Sequence, residues 1–168
     1  MQILSALLMA MLASVVASCG GESAAVEVTT VAGADARPPA AMEPPLLEVH
    51  KSPTCGCCSA WVEHMKGAGF PVKVVETDDL GAIKSEVGVP YGLGSCHTAR
   101  VGGYFIEGHV PAEDVKRLLF EKPAARGLTV PGMPIGSPGM EQGDRREPYD
   151  VLLVAKDGST TVYAHHGD

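Results

Sequence analysis

The sequence has few basic residues and no run of them. Its 168 residues include 13 Lys and Arg against 20 Asp and Glu, which gives a formal net charge of -7 at pH 7. A protein that binds the phosphate backbone of a nucleic acid needs a concentration of positive charge. We therefore expect no nucleic-acid partner.

Aromatic residues are also scarce, at 5% of the chain, whereas 20 Gly and 13 Pro residues favour many loops around a modest core. The sequence shows no Ser/His/Asp arrangement, phosphate-binding Gly loop or paired carboxylates of the kinds that indicate common enzyme classes. Asp78 and Asp79 are interpreted as the start of a helix. The length predicts one domain with appended segments.

The first 18 residues, MQILSALLMAMLASVVAS, lack any charged side chain. This apolar run is too short for a comfortable membrane-spanning helix and is typical of an export signal. The sequence VASC, which closes at Cys19, resembles the lipobox of bacterial lipoproteins and predicts a lipid on Cys19; the alternatives are an uncleaved signal or plain secretion. Residues 19–45 are predicted to be a flexible tether, and residues 46–168 the folded domain.

Three cysteines, by contrast, are crowded into four positions of the stretch SPTCGCCSAW, residues 52–61. Cys55 and Cys58 form the C-x-x-C of a thiol-disulfide oxidoreductase, but Cys57 is a thiol that dithiol exchange does not require. Three thiols spaced this way suit a single tetrahedral zinc site poorly, because its ligand pairs come from two separate segments. They suit a soft ion that thiolates can bridge, and Cu(I) is the candidate.

The apolar pattern after residue 46 predicts alternating strands and helices. Apolar residues at i, i+3, i+4 and i+7 predict one face of a helix: Cys58, Trp61, Val62 and Met65. The clustered cysteines are then at the N-terminus of this helix, which stabilises the thiolate form. Hairpins are predicted at Gly102-Gly103 and Asp157-Gly158, and residues 126–144 are predicted to be an irregular loop. The order βαβ, a connecting helix and ββα resembles the thioredoxin-like α/β fold, with a C-terminal loop and hairpin added.

Further soft ligands are predicted outside this cluster. Loops supply Cys96 and His97 in GSCHT, His109 in EGHVP, and Met133 and Met140 in PGMPIGSPGM. The alternatives are a disulfide from Cys96 to one of the clustered thiols, structural histidines, and methionines that pack on the core. The remaining histidines are interpreted as structural or solvated: His50, His64, His165 and His166.

The stretches KSPTCGCC-x-x-W, SCHTARVGGYFIEGHVP, GLTVPGMPIGSPGME and PYDVLLV together resemble the CopG-like family of periplasmic copper-resistance proteins. The likeness covers residues 47–166. It implies that Cys55, Cys57, Cys58 and Cys96 bind several copper ions as a thiolate-bridged cluster that can cycle between Cu(I) and Cu(II).

The predicted protein is thus a periplasmic, membrane-anchored lipoprotein that binds copper and has other periplasmic copper-handling proteins as candidate partners. We expect a metal-binding protein more than an enzyme, although turnover as a copper oxidoreductase stays open. Two other hypotheses remain. One is a thiol-disulfide oxidoreductase that uses Cys55 and Cys58, and the other is a non-catalytic lipoprotein with structural disulfides.

Overall fold

A computed structural model describes residues 43–167 of the chain. The predicted export signal, Cys19 and nearly all of the predicted tether lie outside these residues. Among the described residues, no helix has both the length and the apolar character that a membrane span requires.

The described part of the chain contains seven strands and three helices. Its first half forms β1 (Leu47–Lys51), α1 (Gly56–Gly67), β2 (Val72–Glu76) and α2 (Leu80–Val87). Its second half forms β3 (His97–Val101), β4 (Tyr104–Glu107), α3 (Ala112–Glu121), β5 (Ala125–Thr129), β6 (Tyr149–Ala155) and β7 (Thr160–His166).

All seven strands belong to one mixed sheet in the order β2-β1-β3-β4-β5-β6-β7. β1 pairs in parallel with β2, and β4 pairs in parallel with β5, while the other neighbours are antiparallel. The first four strands with α1 and α3 form the predicted thioredoxin-like arrangement. The predicted hairpins at Gly102-Gly103 and Asp157-Gly158 join β3 to β4 and β6 to β7.

One face of the sheet carries the main hydrophobic core under α1 and α3. Trp61 and Met65 of α1 are fully buried there, as are Val115 and Leu118 of α3. The helical face predicted from the sequence is therefore the buried face of α1. The Trp61 indole Nε1 also donates a hydrogen bond to the carbonyl oxygen of Val110 at 2.8 Å, which ties α1 to the segment between β4 and α3.

The prediction of an irregular loop over residues 126–144 is wrong at its start, because Ala125–Thr129 form β5. This strand lies between β4 and β6 and extends the sheet beyond the thioredoxin-like part. Gly127 made the segment look like a loop. In the sheet, a Cβ at Gly127 would lie only 2.0 Å from the Phe105 carbonyl oxygen, so glycine permits the close pairing with β4.

Candidate metal centre

The pairing of β1 with β3 brings the two cysteine segments together. Lys51, the last residue of β1, is opposite His97, the first residue of β3. The chain enters α1 shortly after Lys51, and Cys96 immediately precedes β3. As a result, the sulfur atoms of all four cysteines lie within 4.8 Å of one another: Cys55, Cys57, Cys58 and Cys96.

Cys55 is the N-cap residue of α1, and its Sγ accepts a hydrogen bond from the Cys58 backbone N–H at 3.3 Å. A disulfide joins Cys55 to Cys58 in this structure, whereas Cys57 and Cys96 are free thiols. Cys57 Sγ lies 3.5 Å from Cys55 Sγ. The alternative of a disulfide from Cys96 to the cluster is thus not the pairing observed.

Cys96 belongs to a second group of donors as well. Its Sγ lies 3.4 Å from Nδ1 of His97 and 3.1 Å from Nε2 of His109, in addition to 3.9 Å from Cys57 Sγ. The sequence placed both histidines in loops: His109 does lie in the loop between β4 and α3, whereas His97 is the first residue of β3, and both are fully buried. Cys96 therefore belongs both to a sulfur group, with Cys55, Cys57 and Cys58, and to an imidazole group, with His97 and His109.

The orientation of His109 is set by the loop that covers it. Its Nδ1 donates to the carbonyl oxygen of Pro138 at 2.8 Å, since that oxygen can only accept. A neutral His109 then has its lone pair on Nε2, which faces Cys96 Sγ. Burial lowers the pKa of His109, against opposing effects of the Pro138 carbonyl and the Glu141 charge. The ring is therefore uncharged at neutral pH, and its Nε2 lone pair is available to a metal ion.

His97 lies deeper in the core. Its ring centroid is 4.5 Å from that of Trp61 and 5.1 Å from that of His109. Burial, followed by the charges of His109 and Lys84, holds the pKa of His97 well below its usual value. Within residues 43–167, its buried Nε2 has no hydrogen-bond partner. An unpaired buried nitrogen is costly, and a role in binding an ion is one explanation for such a group.

The Cys96 thiol is also favoured in its uncharged form. Burial and the neighbouring Cys57 raise the pKa of Cys96 to about 11, although the Ser95 hydroxyl opposes the shift. A cation that binds the sulfur replaces this proton, because the thiolate is the ligand form of cysteine. The site is thus uncharged at Cys96, His97 and His109 before a metal ion binds.

The two Pro-Gly-Met repeats border the site from two sides. In the first repeat, the Gly132 carbonyl accepts a hydrogen bond from the Ser95 hydroxyl. In the second, a Cβ at Gly139 would lie 2.7 Å from both the Cys57 carbonyl oxygen and Trp61 N, so only glycine lets the loop pack on α1. Met133 is half exposed and Met140 partly buried. Each repeat thus contacts one of the two cysteine segments.

The other histidines have partners elsewhere. His64 Nε2 accepts the Ala112 backbone N–H at 3.1 Å and so caps α3, whose N-cap residue Pro111 makes no side-chain capping bond. The remaining three pair with carboxylates: His50 with Glu48, His165 with Asp150, and His166 with Asp114.

The sequence analysis overlooked Glu107, a fully buried carboxylate beside the site. Its Oε1 accepts the Ser95 backbone N–H at 2.6 Å, and its Oε2 accepts the Thr98 hydroxyl at 2.7 Å. Lys84 of α2 donates to the same carboxylate. A single acidic residue inside the apolar stretch YFIEGHV was the available signal, because buried charges are almost always paired.

Comparison with known proteins places this geometry in a family. Residues 93–140, which contain Cys96, His97 and His109, match a family described as a protein of unknown function, DUF411. Comparison with curated proteins gives no match. Two solved structures of copper resistance protein CopG, Form 1 and Form 2, are 45% and 46% identical to the chain, each with a TM-score of 0.71.

The alignments cover 75% and 74% of this chain and 100% and 99% of the two CopG chains. The likeness therefore extends over essentially the whole of each relative, at an identity at which fold and family are shared. The chain belongs to the family of copper resistance protein CopG.

Proposed function

We propose that the protein binds more than one copper ion, as Cu(I), through Cys55, Cys57, Cys58 and Cys96. The observation that supports this best is that Cys96 belongs to two donor groups, one of four sulfurs and one with two imidazoles. A single four-coordinate ion would use the sulfurs and leave His97 and His109 without a role. If the Cys96 thiolate bridges two ions, each of the two groups can hold copper. The ion is assigned as Cu(I) because thiolates are soft ligands that prefer it.

His97 and His109 complete the outer coordination, and one or both of Met133 and Met140 add thioether ligands. Imidazole also accepts Cu(II), whereas thiolate and thioether favour Cu(I). A donor set of mixed softness supports cycling of copper between the two oxidation states. The copper is cargo in this proposal, and binding in copper resistance does not require enzymatic turnover.

The disulfide limits which cysteines can bind copper at once. Cys55 and Cys58 must be reduced before their sulfurs are thiolate ligands. Cys57 and Cys96 remain thiols when the disulfide is closed, and the imidazole group contains neither disulfide residue. The full copper count thus belongs to the reduced protein.

The same disulfide favours a second candidate function, a thiol-disulfide oxidoreductase. Cys55 and Cys58 are linked at the N-terminus of α1, where a helix stabilises the thiolate that exchange requires. Against this, Cys57 Sγ is 3.5 Å from Cys55 Sγ and can compete with a substrate for the mixed disulfide. We regard exchange as a side activity.

Copper count is the first test. Reduced wild-type protein should bind more than one Cu(I) per chain, measured by anaerobic titration with metal analysis, because bridging sulfurs serve more than one ion. Cys96→Ser should lower the count, since it removes the sulfur that both groups share. Met133→Leu is the matched control and should change affinity but not the count. One ion per chain, unaffected by Cys96→Ser, would contradict the cluster.

Copper binding should release protons at neutral pH. The Cys96 pKa of about 11 means that its thiol is protonated there, whereas the lowered pKa values leave His97 and His109 neutral. Affinity for Cu(I) should therefore rise with pH, and Cys96→Ser should release about one proton fewer per chain. Calorimetry in two buffers of different ionisation enthalpy measures the count. Equal proton release from wild type and Cys96→Ser would refute this linkage.

Insulin reduction separates the two candidate functions. The wild type should reduce insulin far more slowly than thioredoxin does, and Cys57→Ser should increase the rate by removing the competing thiol. A wild-type rate near that of thioredoxin, unchanged by Cys57→Ser, would favour the oxidoreductase.

The location of the protein is a further part of the proposal. We propose an export signal over residues 1–18, a lipid on Cys19 and a tether over residues 19–45 that holds the domain near a periplasmic membrane surface. Intact mass of protein from membrane fractions should show acyl chains, and Cys19→Ser should shift it to the soluble fraction. Unmodified soluble wild-type protein would rule out the anchor.

A further inference from the structure

Glu107 occupies a position that a carboxylate rarely occupies. It is fully buried in β4, and Thr98 of β3 is its direct cross-strand neighbour. Burying a carboxylate costs free energy that an ion pair only partly offsets, so a buried ion pair is weak support for stability alone. The contacts of Glu107 indicate what the carboxylate does instead.

These contacts are on both sides of the Cys96-His97 dipeptide. Oε1 accepts the backbone N–H of Ser95, the residue before the dipeptide, at 2.6 Å. Oε2 accepts the hydroxyl of Thr98, the residue after it, at 2.7 Å. One carboxylate thus holds a backbone N–H before the dipeptide and a side-chain hydroxyl after it, and an apolar side chain could make neither bond.

Lys84 of α2 holds the carboxylate in place. Its Nζ donates to Glu107 Oε1 and, at 3.0 Å, to Thr98 Oγ1. The Thr98 hydroxyl thus accepts from Lys84 and donates to Glu107, which closes a small network. Every contact within it is charge-assisted or cooperative.

The network lies on the sheet face opposite α1. Side chains alternate along a strand, and the neighbours Ala99 and Ile106 point into the core under α1 and α3. Thr98 and Glu107 therefore point to the other face, where Lys84 reaches them. The Glu107 carboxylate therefore lies on the opposite face of the sheet from the His97 ring, which packs on Trp61.

The backbone around this contact is built for a close approach. Gly108, the residue after Glu107, has φ +72, and a Cβ there would lie 2.5 Å from the Ser95 Cβ and 2.6 Å from the Val130 carbonyl oxygen. Its N–H donates to the His97 carbonyl at 3.1 Å. Glycine lets the end of β4 contact the Ser95 segment directly.

We propose that Glu107 is a positioning residue for the copper site, which clamps Ser95 and Thr98 and thereby orients Cys96 and His97. This rests on the proposed copper function, but the clamp can be observed without copper. Residues behind metal ligands that fix their orientation typically change metal affinity by about 10–100-fold when they are replaced.

The copper arm uses Glu107→Gln, which keeps the size of the side chain and loses the charge. The variant should bind the Cys96-dependent copper about 10–100-fold more weakly in competition with a Cu(I) chelator. Thr98→Val removes only the hydrogen bond from the Thr98 hydroxyl to Glu107, so it should also weaken copper binding, but by a smaller factor. Asp114→Asn is the matched control, because Asp114 is also a buried carboxylate but pairs with His166.

A double-mutant cycle separates positioning from a general loss of stability. If Glu107 acts through Cys96 and His97, then Glu107→Gln should weaken binding of the copper that remains on a Cys96→Ser/His97→Gln background less than twofold. An equal weakening on both backgrounds, or wild-type affinity in folded Glu107→Gln, would overturn the proposal.

The copper-free arm follows hydrogen exchange of the Ser95 amide and alkylation of Cys96 in the reduced protein. Both rates should rise in Glu107→Gln and Thr98→Val and stay at the wild-type rate in Asp114→Asn. Unchanged rates in both clamp variants would overturn the clamp. Wild-type protein that binds no copper would instead overturn the proposed function, and the copper-free rates would still decide the clamp.

Discussion

The register between β1 and β3 determines where the proposed copper site can form. With Lys51 opposite His97, the end of β1 and the start of β3 lie side by side at one edge of the sheet. Cys55, Cys57 and Cys58 lie where the chain leaves β1 and enters α1, and Cys96 lies immediately before β3. A shift of one residue would turn His97 to the opposite face of the sheet, away from Trp61 and His109.

Burial has one electrostatic consequence for three donors. It favours the uncharged form of each group, so it lowers the pKa of His97 and His109 and raises that of Cys96. An imidazole is already a ligand in this form, whereas a thiol must lose its proton. In the proposed site the imidazoles could bind copper without losing a proton, whereas the shared Cys96 sulfur would make copper binding depend on pH. A soft cation is the partner that best compensates for a buried thiolate.

The sequence pattern correctly predicted those parts of the fold that depend on residues close together in the chain. The helical face of Trp61 and Met65 is buried, and both Gly-containing hairpin turns lie where the sequence placed them. β5 was missed because the reason for Gly127 in a strand is its close approach to Phe105, a residue distant in sequence. The approach of Cys96 to Cys55, Cys57 and Cys58 likewise depends on strand order, and the pairing of Glu107 with Lys84 depends on how α2 packs on the sheet. Spacing along the chain carries no information about either.

The thioredoxin-like framework explains why disulfide exchange and the proposed copper binding would use the same residues. The N-terminus of α1 stabilises sulfur charge for either chemistry, and the Cys55–Cys58 disulfide shows that the pair can close. What differs is the surroundings: the Pro138 carbonyl fixes His109, and Gly139 packs the loop onto α1. A substrate disulfide would need room beside Cys55, and the Cys57 sulfur already lies 3.5 Å from the Cys55 sulfur. The added donors and the covering loop thus favour retention of a metal ion over turnover of a protein disulfide.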